Sequence, residues 1–439
     1  MQWVKSFILP GVIALFWVVP ALAQSEIDSL SVSPSSLESA LADTPLKAVP
    51  QGVQFDESFR PDLTKMEDNQ YKTRFPNGTT VVYTLDPLLQ DKMKTYFKKY
   101  KVPYGVFVAI DPNTGKVLAM VEHSHYNPKL KGLALRATFP AASVFKLITA
   151  AAALEEKKAS PDTPITFHGG LMHLRRHNWE DDPLRDYRTI SFTDALARSA
   201  NVPFAKVATR WLDSSLLLNY SQAFGFNRPI FFELPVQQSH AIIPDDRKQV
   251  AYAAAGFGDV KMSPLHGALI ASAIGNGGAL LVPRLIDRIL DKDGHEIYVS
   301  SRESSGQVVS KNTTDLLKEM MGQTSIKGTS RRAFRSYYRS PQLREITIGG
   351  KTGTISGNDP PGKYSWFVGM APLDHPEIAV AALVINSRHW RIKGSDIAKE
   401  GFSIYFKRPQ VPQAVKEHPV QQEPEIALPE GQGLSNGGT

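Results

Sequence analysis

The chain has 439 residues, 42% apolar and 21% charged, with 31 Gly and 31 Pro, which excludes disordered, collagen-like and coiled-coil chains and allows two or three domains around a sizeable core. It contains no cysteine, so disulfide frameworks, thiol nucleophiles and Cys-ligated metals are ruled out. The net charge of +7 is spread without a long basic run; no nucleic acid is expected as a partner, and a spread positive charge suits an anionic envelope equally well.

Residues 7–23 carry no charge and end in Ala21-Leu22-Ala23, behind Lys5 and with Pro20 just ahead of the small residues. The pattern predicts a signal peptide over 1–23, with an uncleaved anchor as the competing reading. Either one exports the rest of the chain to the periplasm or to the outer face of the cytoplasmic membrane. Residues 24–78 are Ser- and Pro-punctuated and weakly periodic, and are expected to form a tether ahead of an ordered domain over 79–408. Asn77-Gly78 is a hairpin turn signal between β-rich runs at 71–75 and 79–84, and a helix is expected over 86–100. Two further β-rich runs, 104–111 and 116–122, flank Pro112-Asn113-Thr114-Gly115 and read as a second hairpin.

Residues 143–158 are apolar on nearly every face, as a helix in the middle of a domain must be. Helical segments follow at 193–199 and 203–212, separated by a loop at Ala200-Asn201-Val202. Strands are expected at 345–355, 364–371 and 377–386, and a last helix at 395–407. A sheet divided between early and late segments, with a long helical insertion, predicts a two-subdomain α/β body with a catalytic cleft at the join. Residues 409–439, rich in Pro and Gln, cannot build a core and are expected to be disordered.

Three short motifs carry chemistry together that none carries alone. Ser143-Val144-Phe145-Lys146 puts a hydroxyl and an amine on one helical face, a nucleophile beside a base. Burial and a second cation lower an amine's pKa enough for it to accept the proton. Ser199-Ala200-Asn201 adds a hydroxyl and an amide, and Lys351-Thr352-Gly353-Thr354 follows Gly349-Gly350 on a strand that a ligand backbone can approach closely. Helix caps, a snorkelling lysine and a Gly-rich bulge would explain each singly. Their conjunction and order in an exported chain favour an acyl-transfer site.

With these motifs the chain resembles the transpeptidase domain of penicillin-binding proteins, and most closely the transpeptidase half of the bifunctional class A type. The likeness also rests on Thr84-Leu85-Asp86-Pro87-Leu88-Leu89-Gln90, on residues 111–120, and on Arg136-Ala137-Thr138-Phe139-Pro140. It continues through Gly256-Phe257-Gly258, Ser263-Pro264-Leu265, Asn276-Gly277-Gly278 and Trp366-Phe367-Val368-Gly369. It runs from about residue 80 to residue 407, and departs at Phe257 and His266, where members often carry Gln.

The resemblance implies the penicillin-binding-protein transpeptidase (β-lactamase-like) fold: an antiparallel sheet flanked by helices plus an all-α subdomain, with the active site between them. It implies a stand-alone peptidoglycan D,D-transpeptidase whose Ser143 is acylated by a D-Ala-D-Ala stem peptide or by penicillin. Lys146 would be the base, Ser199 the proton relay and Lys351 the cation that keeps Lys146 neutral. Asn201, Thr352, Gly353 and Thr354 would bind the donor. Expected partners are peptidoglycan stem peptides, β-lactam antibiotics and a separate glycosyltransferase. The alternatives are a D,D-carboxypeptidase or endopeptidase, a serine β-lactamase, or a non-catalytic β-lactam-binding wall protein. No cofactor and no metal are expected: His168, His173 and His177 match no standard zinc spacing, and Trp179-Glu180-Asp181-Asp182 reads as a solvated acidic loop.

Overall fold

The computed structural model describes residues 65–175, 177–387 and 392–408. The expected signal peptide and the Pro- and Gln-rich tail lie outside them. Strands β1 (Lys65–Glu67), β2 (Gln70–Arg74) and β3 (Thr80–Tyr83) come first. Helix α1 (Pro87–Tyr100) starts where the Asp86 carboxylate accepts from the Leu89 N–H at 2.9 Å, with a proline at a position that needs no donor. Strands β4 (Tyr104–Ile110) and β5 (Val117–Ser124) form the expected hairpin.

Between the early and late strands lie, among other elements, helices α2 (Lys146–Glu155), α3 (Phe192–Ala197), α4 (Asn201–Trp211) and α5 (Pro264–Gly275). Strands β6 (Ile286–Leu290) and β7 (Glu296–Val299) and helix α6 (Lys311–Ile326) follow. The chain closes with β8 (Gly349–Asn358), β9 (Pro361–Ala371), β10 (Ile378–Asn386) and helix α7 (Gly394–Phe406).

The principal sheet is antiparallel throughout in the order β8-β9-β10-β4-β5, so the late strands complete the early hairpin. Every residue of β10 is buried, because both faces of the sheet are covered. Gly267 of α5 sits over Ala381 and Val368, whereas Gly401 of α7 sits over Phe107, the register partner of Ala382. Adjacent residues of a strand face opposite sides, so α5 and α7 lie on opposite faces. Phe107, Phe367, Phe402, Leu89 and Phe97 form the core beneath α1 and α7.

Three expectations are corrected here. Residues 65–70, assigned to the tether, hold β1 and the start of β2, while β2 and β3 form the hairpin expected around Asn77-Gly78; β3 pairs onward to β6 and β7 in a second five-stranded sheet. The polar sequence of β1 and β2 follows from lying at the edge of a small sheet: in β2 only Tyr71 is buried. The helix expected over 143–158 is divided into a 3-10 turn, Ala142–Phe145, and α2. Likewise Asn201 is the first residue of α4 rather than part of a loop.

Candidate active site

Ser143 lies on the 3-10 turn, where residues three apart eclipse each other. Lys146, first residue of α2, therefore returns its side chain beneath the serine, with Nζ 2.8 Å from Ser143 Oγ. The lysine is fully buried. Its other partners are Asn201 Oδ1 at 2.8 Å and the Ala255 carbonyl. The Asn201 Nδ2 group donates to the Met172 carbonyl at 2.6 Å, which fixes Oδ1 toward the lysine.

Burial, reinforced by the charge of Lys351, holds the Lys146 pKa well below that of a free lysine. A neutral amine has two N–H donors and one lone pair. Asn201 Oδ1 and the Ala255 carbonyl can only accept, so they take both donors. The lone pair is left facing Ser143 Oγ, the arrangement that withdraws a proton from the serine.

Ser199 comes from the turn between α3 and α4, in a left-handed conformation with φ of +56°. Such a backbone is unfavourable for a non-glycine residue and persists only where its surroundings enforce it. Its hydroxyl accepts from Lys351 Nζ at 2.8 Å, and the same ammonium donates to the Thr352 carbonyl at 2.9 Å. Lys351 is buried on β8, and burial alone pushes its pKa down to about 7.

Strand β8 is an edge of the sheet, so one side of its backbone is free to pair with a ligand. Gly350 is required there because a Cβ would strike the Phe367 ring. Gly353 lies close against Ala141 and Ala142. Gly256, φ +90°, leaves no room for a Cβ against the Ala142 carbonyl and would place one 2.8 Å from Ser143 N.

The structure thus brings two hydrogen-bonded groups to one cleft, Ser143 with Lys146 and Asn201, and Ser199 with Lys351 and Thr352. Ser143, Ser199, Asn201, Thr352 and Thr354 line a cleft of about 290 Å³. Thr329, Met172, Phe257 and Lys393 share that lining without having been singled out as site residues. Thr329 is hydrogen-bonded to Thr352 through the two hydroxyls. Only the Gly256-Phe257-Gly258 run carried a sequence signal; a lone Thr or Met on a loop carries none. The described lining residues include no carboxylate.

The three histidines take separate partners where partners are seen: His168 pairs with Asp186 at 2.6 Å and His177 with Glu180 at 3.1 Å. The acidic loop is not simply solvated. Trp179 is buried, and the fully buried Lys206 of α4 binds Asp186, the Glu180 carbonyl and Asp181. His266 is buried against Phe226, its Nε2 on the Phe224 carbonyl at 2.8 Å, which makes it a core residue.

The model of the penicillin-binding protein transpeptidase domain matches residues 105–404. The chain is 28% identical over 351 residues to the peptidoglycan D,D-transpeptidase PbpA of Mycobacterium tuberculosis, an alignment covering 71% of this chain and 68% of that protein. It is 26% identical to the stage V sporulation protein D of Bacillus subtilis, over 80% of this chain and 56% of that one. Among solved structures it is similar to the ceftriaxone acyl-enzyme of M. tuberculosis penicillin-binding protein A, with a TM-score of 0.62 and 25% identity over 74% of this chain and 79% of that one. It is equally similar to the D,D-transpeptidase domain of a peptidoglycan glycosyltransferase from Eggerthella lenta, with a TM-score of 0.63 and 25% identity over 74% of this chain and 82% of that one.

Proposed function

This chain belongs to the penicillin-binding protein transpeptidase family, and on that footing we propose that it is a peptidoglycan D,D-transpeptidase acting outside the cytoplasm, with Ser143 as its nucleophile. The observation that carries the assignment of roles is the Lys146 amine 2.8 Å from Ser143 Oγ, with both its N–H groups committed to other acceptors.

In the first half-reaction Lys146 takes the Ser143 proton as Oγ attacks the penultimate D-Ala carbonyl. The Ser143 and Thr354 backbone N–H groups receive the oxyanion, each such donor being worth roughly 10²–10³ in rate. The carbon–nitrogen bond then breaks. The proton passes from Lys146 through Ser199 to the departing D-Ala amine, leaving an ester on Ser143. In the second half-reaction an amine of a neighbouring stem peptide attacks that ester, forms the cross-link and returns a proton to the serine. Lys351 draws in the donor's terminal carboxylate, which the Thr352 hydroxyl bonds, and Asn201 orients the donor amide. The glycan strands to be joined would come from a separate glycosyltransferase.

The described cleft lining offers no carboxylate to activate water, which favours transfer to an amine over hydrolysis and gives a β-lactam ester a long life. Intact mass spectrometry after penicillin exposure tests the reading. One adduct per chain, persisting for hours and absent from Ser143→Ala, is expected. A stoichiometric adduct on Ser143→Ala overturns the nucleophile, and release of the adduct within seconds overturns transfer in favour of hydrolysis.

A further inference from the structure

A second cavity, of about 440 Å³, opens beside the far half of β8. One wall is β8 and its turn, with Ser356, Asn358 and Asp359. The other is a small antiparallel sheet in which Phe139–Pro140 pairs with Asp259–Met262, and that strand with His240–Ile242. This sheet contributes Lys261 and His240, cross-strand neighbours, with Gln237 next to them. The segment leaves this cavity at Pro140 and reaches Ser143 three residues later, and β8 lines the first cavity with Thr352 and Thr354 and this one from Ser356 onward, so the two cavities follow one another along the sheet edge.

The direction of the donor along that edge follows from the proposed acyl transfer, on which this inference rests. Its terminal carboxylate lies at Thr352 and its reacting carbonyl at Thr354. A strand-like donor advances about 3.3 Å per residue, so the residue before the reacting D-Ala lies opposite residues 355–356. A long side chain there enters the second cavity.

The charges around that cavity have both signs. Lys261 and His240 both contact the Asp259 carboxylate, at 3.3 and 3.1 Å. Asp359 pairs with Arg136 at 2.8 Å. Arg136 and Asp259 lie outside the lining, which itself carries one ammonium, Lys261, and one carboxylate, Asp359, so a side chain ending in a lone ammonium satisfies Asp359 and leaves Lys261 without a new partner. A side chain ending in both a carboxylate and an ammonium can place the first on Lys261 and the second on Asp359.

We propose that this cavity is a specificity subsite for the third residue of the donor stem peptide, and that it selects a diamino-dicarboxylic acid over lysine. The test is protection of the full chain against labelling by fluorescent penicillin. The protecting probes are two synthetic pentapeptides that differ only in carrying meso-diaminopimelate or lysine at the third position. For the native sequence the diaminopimelate peptide should protect at a roughly tenfold lower concentration than the lysine peptide, the scale of one well-placed charge pair.

Lys261→Glu should invert that preference, and Asp359→Asn should narrow it. Both readouts are ratios within the labelled fraction, so partial misfolding does not mimic them. Equal protection by the two peptides, no protection by either at millimolar concentration, or an unchanged ratio in Lys261→Glu would overturn the subsite. Absence of penicillin labelling in the native protein would instead overturn the proposed reaction.

Discussion

At the residue scale, two buried lysines do different work because they are buried differently. Lys146 is lowered by desolvation and by its neighbour Lys351, and Lys351 by desolvation alone, to about 7. Acylation requires Lys146 neutral and Lys351 charged, so the rate constant for penicillin acylation should rise with pH on the acid side and fall as pH passes about 7. Stopped-flow acylation across pH would show this bell. A rate that climbs without a turn to pH 9 would contradict the role given to Lys351.

Lys351→Met should abolish most acylation yet stabilise the fold. In the unfolded chain this lysine titrates near 10.5 and in the folded one near 7, so between those values the unfolded state binds more protons and native stability rises with pH. The gain from Lys351→Met should therefore be greatest at or below pH 7 and shrink toward pH 10, read as a difference in denaturant midpoints. The Ser-x-x-Lys spacing was legible in the sequence. The committed N–H groups that aim the lone pair were not, since Ala255 and Met172 act through backbone carbonyls that any residue would supply.

At the element scale, the site depends on a junction rather than on a regular helix. The chain enters the serine turn through Ala142 at φ +49°, and only the change from 3-10 turn to α2 stacks Ser143 over Lys146. Apolar periodicity found a buried helix here, but a 3-10 start has no hydrophobic signature of its own. Gly256 supports the same junction from behind. Gly256→Ala combines a left-handed backbone with a Cβ against the Ala142 carbonyl and Ser143 N, and should displace the oxyanion donor. Acylation by penicillin should fall about 10²-fold while the far-ultraviolet circular dichroism stays native. Retention of full acylation would show that the serine turn does not need this glycine.

At the scale of the whole molecule, buried charge ties the acidic segment at 180–186 to α4. Lys206 on α4 has no exposed surface, and its principal partner Asp186 little. These contacts hold the 168–187 loop, whose Met172 carbonyl fixes Asn201. Lys206→Met leaves Asp186 with only His168 and the Asp182 N–H as partners and should destabilise the protein by about 1.5–3 kcal/mol, the scale of a hydrogen bond to a charged group. Limited proteolysis should then cut first between residues 168 and 187. A variant with native stability and native protease resistance would remove Lys206 from this role.

The sequence by itself determined which chemistry was present: the three motifs, their order, the split sheet and the resemblance that unites them, because these are matters of residue type and spacing. It also placed the second hairpin and the three late strands to within a few residues, since strongly apolar runs between turn residues leave little choice. Tertiary structure decided what lies between the motifs. It paired Lys351 with Ser199, joined 65–70 to the second sheet, turned an acidic loop into an anchored strap and opened a charged cavity at the end of β8. These depend on contacts between residues far apart in the chain, each of which is ordinary in its own neighbourhood.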